Sequence, residues 1–440
     1  MTPPEAAPPG TILRPRATVA VSTLATGLGA YLGFVPGFLA PVLQADLDLS
    51  RTALGILVGV FYGATGVGSP VAGRLTDRMG ARRAVALDQV LVAGALVVGA
   101  LFPVYPVLLA GAVVAGFGYA LTNAGTNLAV SVAVPVRGHG VALATKTAGV
   151  PVLVAVSAPL AAAAGEAFGW RAVYLATVPV VLLVAAAALW VLPDGRSPRR
   201  TDPAAPVRVL PRGFLWFPVG AFCLVAGSQP LYSWTVAYLH EVGGLELPVA
   251  GSVTAAGSVA AVVAMVVVAR RSDRVAAGRT AGGSRIPAVV TLCVGTAAGE
   301  ALLVAGTAAG VPVMVAGVVV ATVAQLSAIG LMHAAVVAAA PHAVGRASGV
   351  TMAGYYVGAL VGAPVFGAVV DATGGYVPAW TMSLALVLCG AATFTRCRAV
   401  GSGVSSDRTG GASDGVAPRR SRIRGAAPQR VPRGRNAAGG

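Results

Sequence analysis

The stretch GRLTDRMGARR, Gly73 to Arg83, decides how this chain is read. Apolar runs flank it at 52-73 and 83-103, each near the roughly 20 residues that carry a helix across a bilayer. A short island of Arg, Asp and Gly between two such runs is a turn at a membrane face. The same alternation of long apolar run and polar break continues in both directions. The chain has 440 residues, is 56% hydrophobic and only 10% charged, with mean hydropathy +0.80. That balance excludes the ordinary soluble classes. The runs are long and lack a two-residue alternation, so helices are expected rather than a barrel.

Twelve spans are expected, at 17-41, 52-73, 83-103, 107-134, 139-164, 171-192, 214-239, 248-269, 286-307, 311-340, 347-370 and 378-395. The first run follows Arg14 and Arg16 and is longer than a signal-peptide core, so it reads as a retained span. With the N-terminus in the cytoplasm, the inner segments collect nearly every arginine, and only Arg51 and Arg171 fall on the outer side. The net charge of +16 is therefore topological, following the positive-inside rule, and no nucleic-acid partner is expected. The four cysteines show no paired spacing, which argues against a disulfide framework or a metal site.

Six spans precede the polar segment 194-213 and six follow it. The expected organisation is a cytoplasmic tail at 1-16, a six-helix bundle at 17-193, the linker at 194-213, a second bundle at 214-396, and a disordered Arg-rich cytoplasmic tail at 397-440. The halves look duplicated. ARRSDRVAAGR at 269-279 answers the opening stretch, GVALATKTAG at 140-149 answers GVTMAGYYVG at 349-358, and GWRAVYLA at 169-176 answers PAWTMSLA at 378-385. Parallel six-helix repeats are a transporter architecture.

Gly73, Asp77, Arg78, Gly80, Arg82 and Arg83 resemble the loop signature of the major facilitator superfamily, Gly-x-x-x-Asp-Arg-x-Gly-Arg-Arg between the second and third spans. Ala81 departs from it where the family usually has an Arg. The likeness, extended by LDLSRTALGILVGVFYG before and into the second span and by GAVVDATGGY after the eleventh, covers about residues 17-395. It implies an all-α membrane fold of 12 helices in two pseudo-symmetric bundles. It also implies a cytoplasmic latch built from Gly73, Asp77, Arg78, Gly80 and Arg82, with Asp273 and Arg274 as counterparts in the second half, and a central cavity lined by spans one, four, seven and ten.

The chain's single lysine, Lys146, sits about seven residues into span five. Reflection across the turn at 135-138 places Asn127 of span four at its depth, and Asn123, Asn127 and Ser131 form a stripe at four-residue spacing. Such groups inside a bilayer face protein or water, and they usually serve a function. The repeat puts His333 opposite Asn127 and Tyr355 opposite Lys146, while span seven adds Gln229, Tyr232 and Trp234 and span ten adds Gln325. These residues are the expected substrate site, with Lys146 supplying a positive charge suited to an organic anion or amphiphilic metabolite. Cavity spans carry no Asp or Glu, so the candidates for proton coupling are Lys146, His333 and the peripheral acids Glu300 and Asp88, expected to approach the outer and inner interfaces respectively.

The expected function is secondary active transport of a small solute by alternating access across the cytoplasmic membrane, with protons as a candidate coupling ion and a monomer as the working unit. Alternatives are a multidrug or metabolite efflux antiporter of the same fold and a transporter-derived sensor. The resemblance weighs against drug antiport, because span four shows Ala112 where drug antiporters carry Arg, and span five has SAPLAA at 157-162 in place of Gly-Pro-x-x-Gly-Gly. His139, His240, His333 and His342 are scattered with no carboxylate pair beside them, which argues against an enzyme or a cofactor site.

Overall fold

The computed structural model describes residues 15–135, 139–194, 210–278, 285–341 and 343–397, with backbone alone at 140, 269 and 272–278. In chain order the helices are α1 (Pro15–Gly29), a 3-10 turn (Tyr31–Gly33), α2 (Val35–Phe38), α3 (Ala40–Leu47), α4 (Arg51–Met79), α5 (Ala81–Leu101), α6 (Tyr105–Ala133), α7 (His139–Thr147), α8 (Gly149–Phe168) and α9 (Trp170–Val191). The second series is α10 (Trp216–Ser228), α11 (Pro230–Ser233), α12 (Thr235–Glu241), α13 (Leu247–Gly278), α14 (Ile286–Ala309), α15 (Val311–Ala339), α16 (Val344–Thr373) and α17 (Tyr376–Arg396). Among the described residues, ten helical stretches are long and apolar enough to cross a membrane.

The two remaining expected spans, 17-41 and 214-239, are not continuous. The first breaks into α1, the 3-10 turn, α2 and α3, and the seventh into α10, α11 and α12. Pro36 and Pro230 each remove a backbone donor at the break. The two short middle pieces meet: a Cβ on Gly37 of α2 would lie 2.7 Å from the Ser233 backbone of α11. The breaks thus occupy corresponding places in the two halves and touch each other, which only the paired arrangement reveals.

Tight turns join neighbouring helices. Gly80 adopts φ +88°, in the region that glycine alone enters freely, and lets α4 turn directly into α5. The halves meet mainly through α4 against α16 and α8 against α13. These helices approach closely enough for backbones to touch: a Cβ on Gly55 would lie 2.5 Å from the Ala363 carbonyl oxygen, and one on Gly251 would lie 2.7 Å from that of Ala158. Small residues permit this approach, which is how helices associate where lipid offers no hydrophobic drive.

The calls at the termini and in the connecting segments fall mostly outside the described residues: 1–14, the linker at 195–209, His342 and the tail at 398–440.

Candidate functional site

Lys146 stands at the end of α7, beside the start of α8, and is 4% exposed. Its Nζ donates to Asn127 Oδ1 at 3.1 Å and lies 3.5 Å from Asn123 Oδ1. The four-residue spacing on α6 aims both amides at one ammonium. None of the four ion pairs found among the described residues includes Lys146. An ammonium held only by neutral amides keeps its charge uncompensated and, with three N–H groups, one donor to spare.

The second half repeats this geometry with different chemistry. His333 Nε2 lies 3.1 Å from Met352 Sδ, and its Nδ1 lies 2.9 Å from the Ile329 carbonyl oxygen. Both contacts join residues nineteen apart on neighbouring helices, so Met352 makes with His333 the kind of contact that Lys146 makes with Asn127. One half carries a cation and the other a thioether; the charge is one-sided.

Tyr355 is one turn further along α16, among aromatic neighbours the sequence did not single out. Its ring lies 5.3 Å from that of Tyr356 in an edge contact. Tyr62 of α4 and Tyr119 of α6 both pack on Phe61, at 5.1 and 5.7 Å between ring centres. Tyr119 and Tyr355 lie within electrostatic reach of each other and of Tyr62, Tyr232 and Tyr356, with the Tyr62 hydroxyl beside the Gln229 amide and the Tyr119 hydroxyl beside that of Asn123. All five rings are partly exposed, although they converge from both halves. They are therefore not sealed in as the core aromatics are. Tyr62, Tyr119 and Tyr356 were missed because nothing in their spacing separates them from interfacial aromatics.

Other expected site residues are placed differently. Trp234 is fully buried; its indole N–H donates to the Ala363 carbonyl at 3.2 Å and its ring stacks on Phe366, because the break after α11 turns it toward α16. Gln325 is 2% exposed and donates to the Ser228 carbonyl at 3.4 Å, tying α15 to α10. Gln229 is buried with its Nε2 unpartnered.

Asp88 and Glu300 do not reach water, being sealed within the protein. Asp88 is wholly buried between α1 and α6, where Gly29 and Gly118 make room for its carboxylate: a Cβ at either position would lie 2.5 Å from an Asp88 oxygen. Gln89 Nε2 donates to Asp88 Oδ2 at 3.0 Å and to the Ala25 carbonyl at 3.2 Å. Glu300 is also wholly buried, with both carboxylate oxygens unpartnered among the described residues. Side-chain length explains the correction: a short carboxylate within a helix span is sealed by its neighbours before it can reach water.

The expected latch residues lie at the end of α4 far from Arg51. Gly73 has open space where a Cβ would stand, and Asp77 and Arg78 are exposed with no ion pair among the described residues. Arg82 instead pairs with Asp194 at 2.9 Å and reaches the Leu189 carbonyl at 3.4 Å, both within its own half. The side chains of Asp273 and Arg274 lie outside the described residues.

At the opposite end the halves are joined. Arg51 of α4 pairs with Glu241 of α12 and lies 3.9 Å from Asp371 of α16. Asp371 accepts from the Arg51 and Thr52 backbone N–H groups at 3.2 and 2.8 Å and from the Thr52 hydroxyl at 2.7 Å. A carboxylate of the second half thus caps the first helical turn of α4 in the first.

The family model described as the Major Facilitator Superfamily matches residues 19–295. The chain belongs to the Major Facilitator Superfamily. It is a multi-pass membrane protein. Among curated superfamily relatives, a chloramphenicol resistance protein of Streptomyces lividans is 32% identical over 255 residues, 55% of this chain and 63% of that one. A gentisate transporter of Corynebacterium glutamicum is 25% identical over 256 residues, 54% of this chain and 57% of that one. The chain thus spans less than two thirds of the length of these relatives. A solved bacterial homologue of the human lysosomal transporter Spinster, in an inward-facing, unoccupied conformation, superposes with a TM-score of 0.71 over 90% of this chain and 99% of that one, at 16% identity. That likeness speaks to the superfamily fold alone.

Proposed function

We propose that this protein is a secondary transporter that carries a small organic anion across the cytoplasmic membrane by alternating access. The observation that carries the substrate class is the Lys146 ammonium, held by Asn123 and Asn127 with no carboxylate to neutralise it. Relatives described as a chloramphenicol resistance protein and a gentisate transporter support transport of small solutes, and the fixed cation favours the acid over the neutral compound. Protons are the proposed coupling ion, with the buried carboxyls of Asp88 and Glu300 as the sites to test first. The arginine distribution supports termini in the cytoplasm. In that orientation the space beside Lys146 opens inward and the Arg51 cluster seals the outer face.

Flux of radiolabelled organic anions into proteoliposomes tests the proposal. Lys146→Gln is expected to lose at least tenfold in anion flux, and Lys146→Arg to retain part of it. Full flux in the Gln variant removes the anion reading.

A further inference from the structure

We infer that the anion carried is an aromatic one, whose ring is gripped by a cage of tyrosines adjoining the ammonium. This rests on the proposal that Lys146 receives an anionic group, and it adds what surrounds the remainder of that molecule.

Five of the chain's ten tyrosines meet at one place, drawn from α4, α6, α11 and α16. The buried junction around Trp234, Phe366 and Trp380 also holds two tyrosines, Tyr238 and Tyr376, but those rings are sealed at 0 and 5% exposure, whereas the five here all stay partly exposed. Five phenols put ring faces and edges toward a partly exposed space, and their hydroxyls keep that space wettable when it is empty.

Depth relates the cage to the cation. Asn123, which faces the Lys146 ammonium, is one turn of α6 from Tyr119, or about 6 Å at helical rise. A carboxylate resting on Lys146, Asn123 and Asn127 therefore places an attached ring among Tyr62, Tyr119 and Tyr355. The Gln229 amide stands buried beside the Tyr62 hydroxyl, so the polar group behind that ring is neutral as well. Asp88 of α5 lies within electrostatic reach of Tyr119, but its carboxylate is wholly buried against Gly29 and Gly118. The lining thus consists of a cation, neutral amides and phenols. A saturated acid of the same size satisfies the first two but gains nothing from ring faces, which favour aromatic partners by offset and edge contacts.

The test compares benzoate, cyclohexanecarboxylate and benzyl alcohol by equilibrium binding to the purified full-length protein in detergent. Benzoate is expected to bind at least tenfold more tightly than cyclohexanecarboxylate, and benzyl alcohol not to compete. Tyr62→Leu and Tyr355→Leu should reduce the preference to about twofold, with an unchanged melting temperature as the folding control. Tyr62→Phe and Tyr355→Phe, which keep the ring faces, should retain it. Lys146→Gln should weaken both acids alike. Equal binding of the two acids by the unaltered protein overturns the cage and leaves the anion site standing, as does loss of the preference in the Phe variants. Benzoate binding that is indifferent to Lys146→Gln overturns the anion proposal itself, and absence of binding by either acid overturns both.

Discussion

The two ends of the α4 and α16 pair are built on opposite plans. At the Arg51 end the helices touch backbone to backbone: Gly55 meets Ala363, Gly59 meets the Leu360 carbonyl, and a Cβ on Gly367 would lie 2.5 Å from the Arg51 carbonyl oxygen. At the other end of the same helices, Gly73, Gly345 and Gly349 have nothing within 4 Å of where a Cβ would stand. The close backbone contacts of this pair lie at the Arg51 end, and these three glycines make none. Charges follow the geometry. Arg51 is matched by two acids across the halves, whereas Asp77, Arg78 and Lys146 have no acid or base partner among the described residues. Paired charges and touching glycines hold one end shut, and unpaired charges mark the end that is open. By pseudo-symmetry, the exposed Asp77 and Arg78 are the groups free to engage when the arrangement reverses.

The steric part of this comparison is the easiest to break. Gly55→Leu would drive a side chain into the Ala363 carbonyl, an overpacking that costs about 1–3 kcal/mol or more. It is expected to cut proteoliposome flux more than tenfold while the protein still inserts and purifies as a monodisperse species. Near-normal flux would mean that this contact plays no part in the cycle. Asp371→Ala comes next, since it removes three hydrogen bonds and the cap on α4 together. Charge-assisted bonds of this kind contribute about 1.5–3 kcal/mol each at most. Spin labels placed near the start of α4 and the end of α16 should then report a broadened distance distribution, and an unaltered one would assign closure to the glycines alone.

Arg51→Gln sharpens the picture further. The guanidinium and its Glu241 partner are 32% and 27% exposed, and such pairs are worth about 0.2–1 kcal/mol. The shift toward opening at that end should therefore stay below about fivefold, and raising the salt concentration should reproduce part of it in the unaltered protein. The smallest effect belongs to Asp194→Asn. Its bond to Arg82 lies within one half, so flux should change less than twofold and only thermal stability should fall slightly.

Much of the scaffold was legible beforehand, because a bilayer forces backbone groups into helices and hydropathy reports the lengths. The helix series, the repeat and the charged turn at 73-83 all come from that constraint. The approach of Asn127 to Lys146 was legible too, since two helices joined by a short turn can be reflected onto each other. Pairings across the halves were not. Arg51 and Arg171 read only as the two outer-side arginines, yet each is held by acids: Arg51 across the halves as above, and Arg171 within its own half by Asp46 at 3.0 Å. Tyr62 and Tyr355 lie on α4 and α16, nearly 300 residues apart by number, and local patterns carry no record of such a meeting. Trp234 misled for the same reason, since only the break after α11 sets which way its ring points.

What the amino-acid sequence determined by itself is the class of molecule: a multi-pass helical membrane protein with an internal repeat, a basic face and one lysine beside a row of amides. Hydrophobic length, periodicity and charge asymmetry are local quantities, and they suffice for that. The tertiary structure alone decided which ends of α4 and α16 touch, that Met352 meets His333, and that tyrosines of both halves come within reach of one another. Those facts depend on how two bundles are set against each other, and that arrangement is fixed by close contacts between helices far apart in the chain.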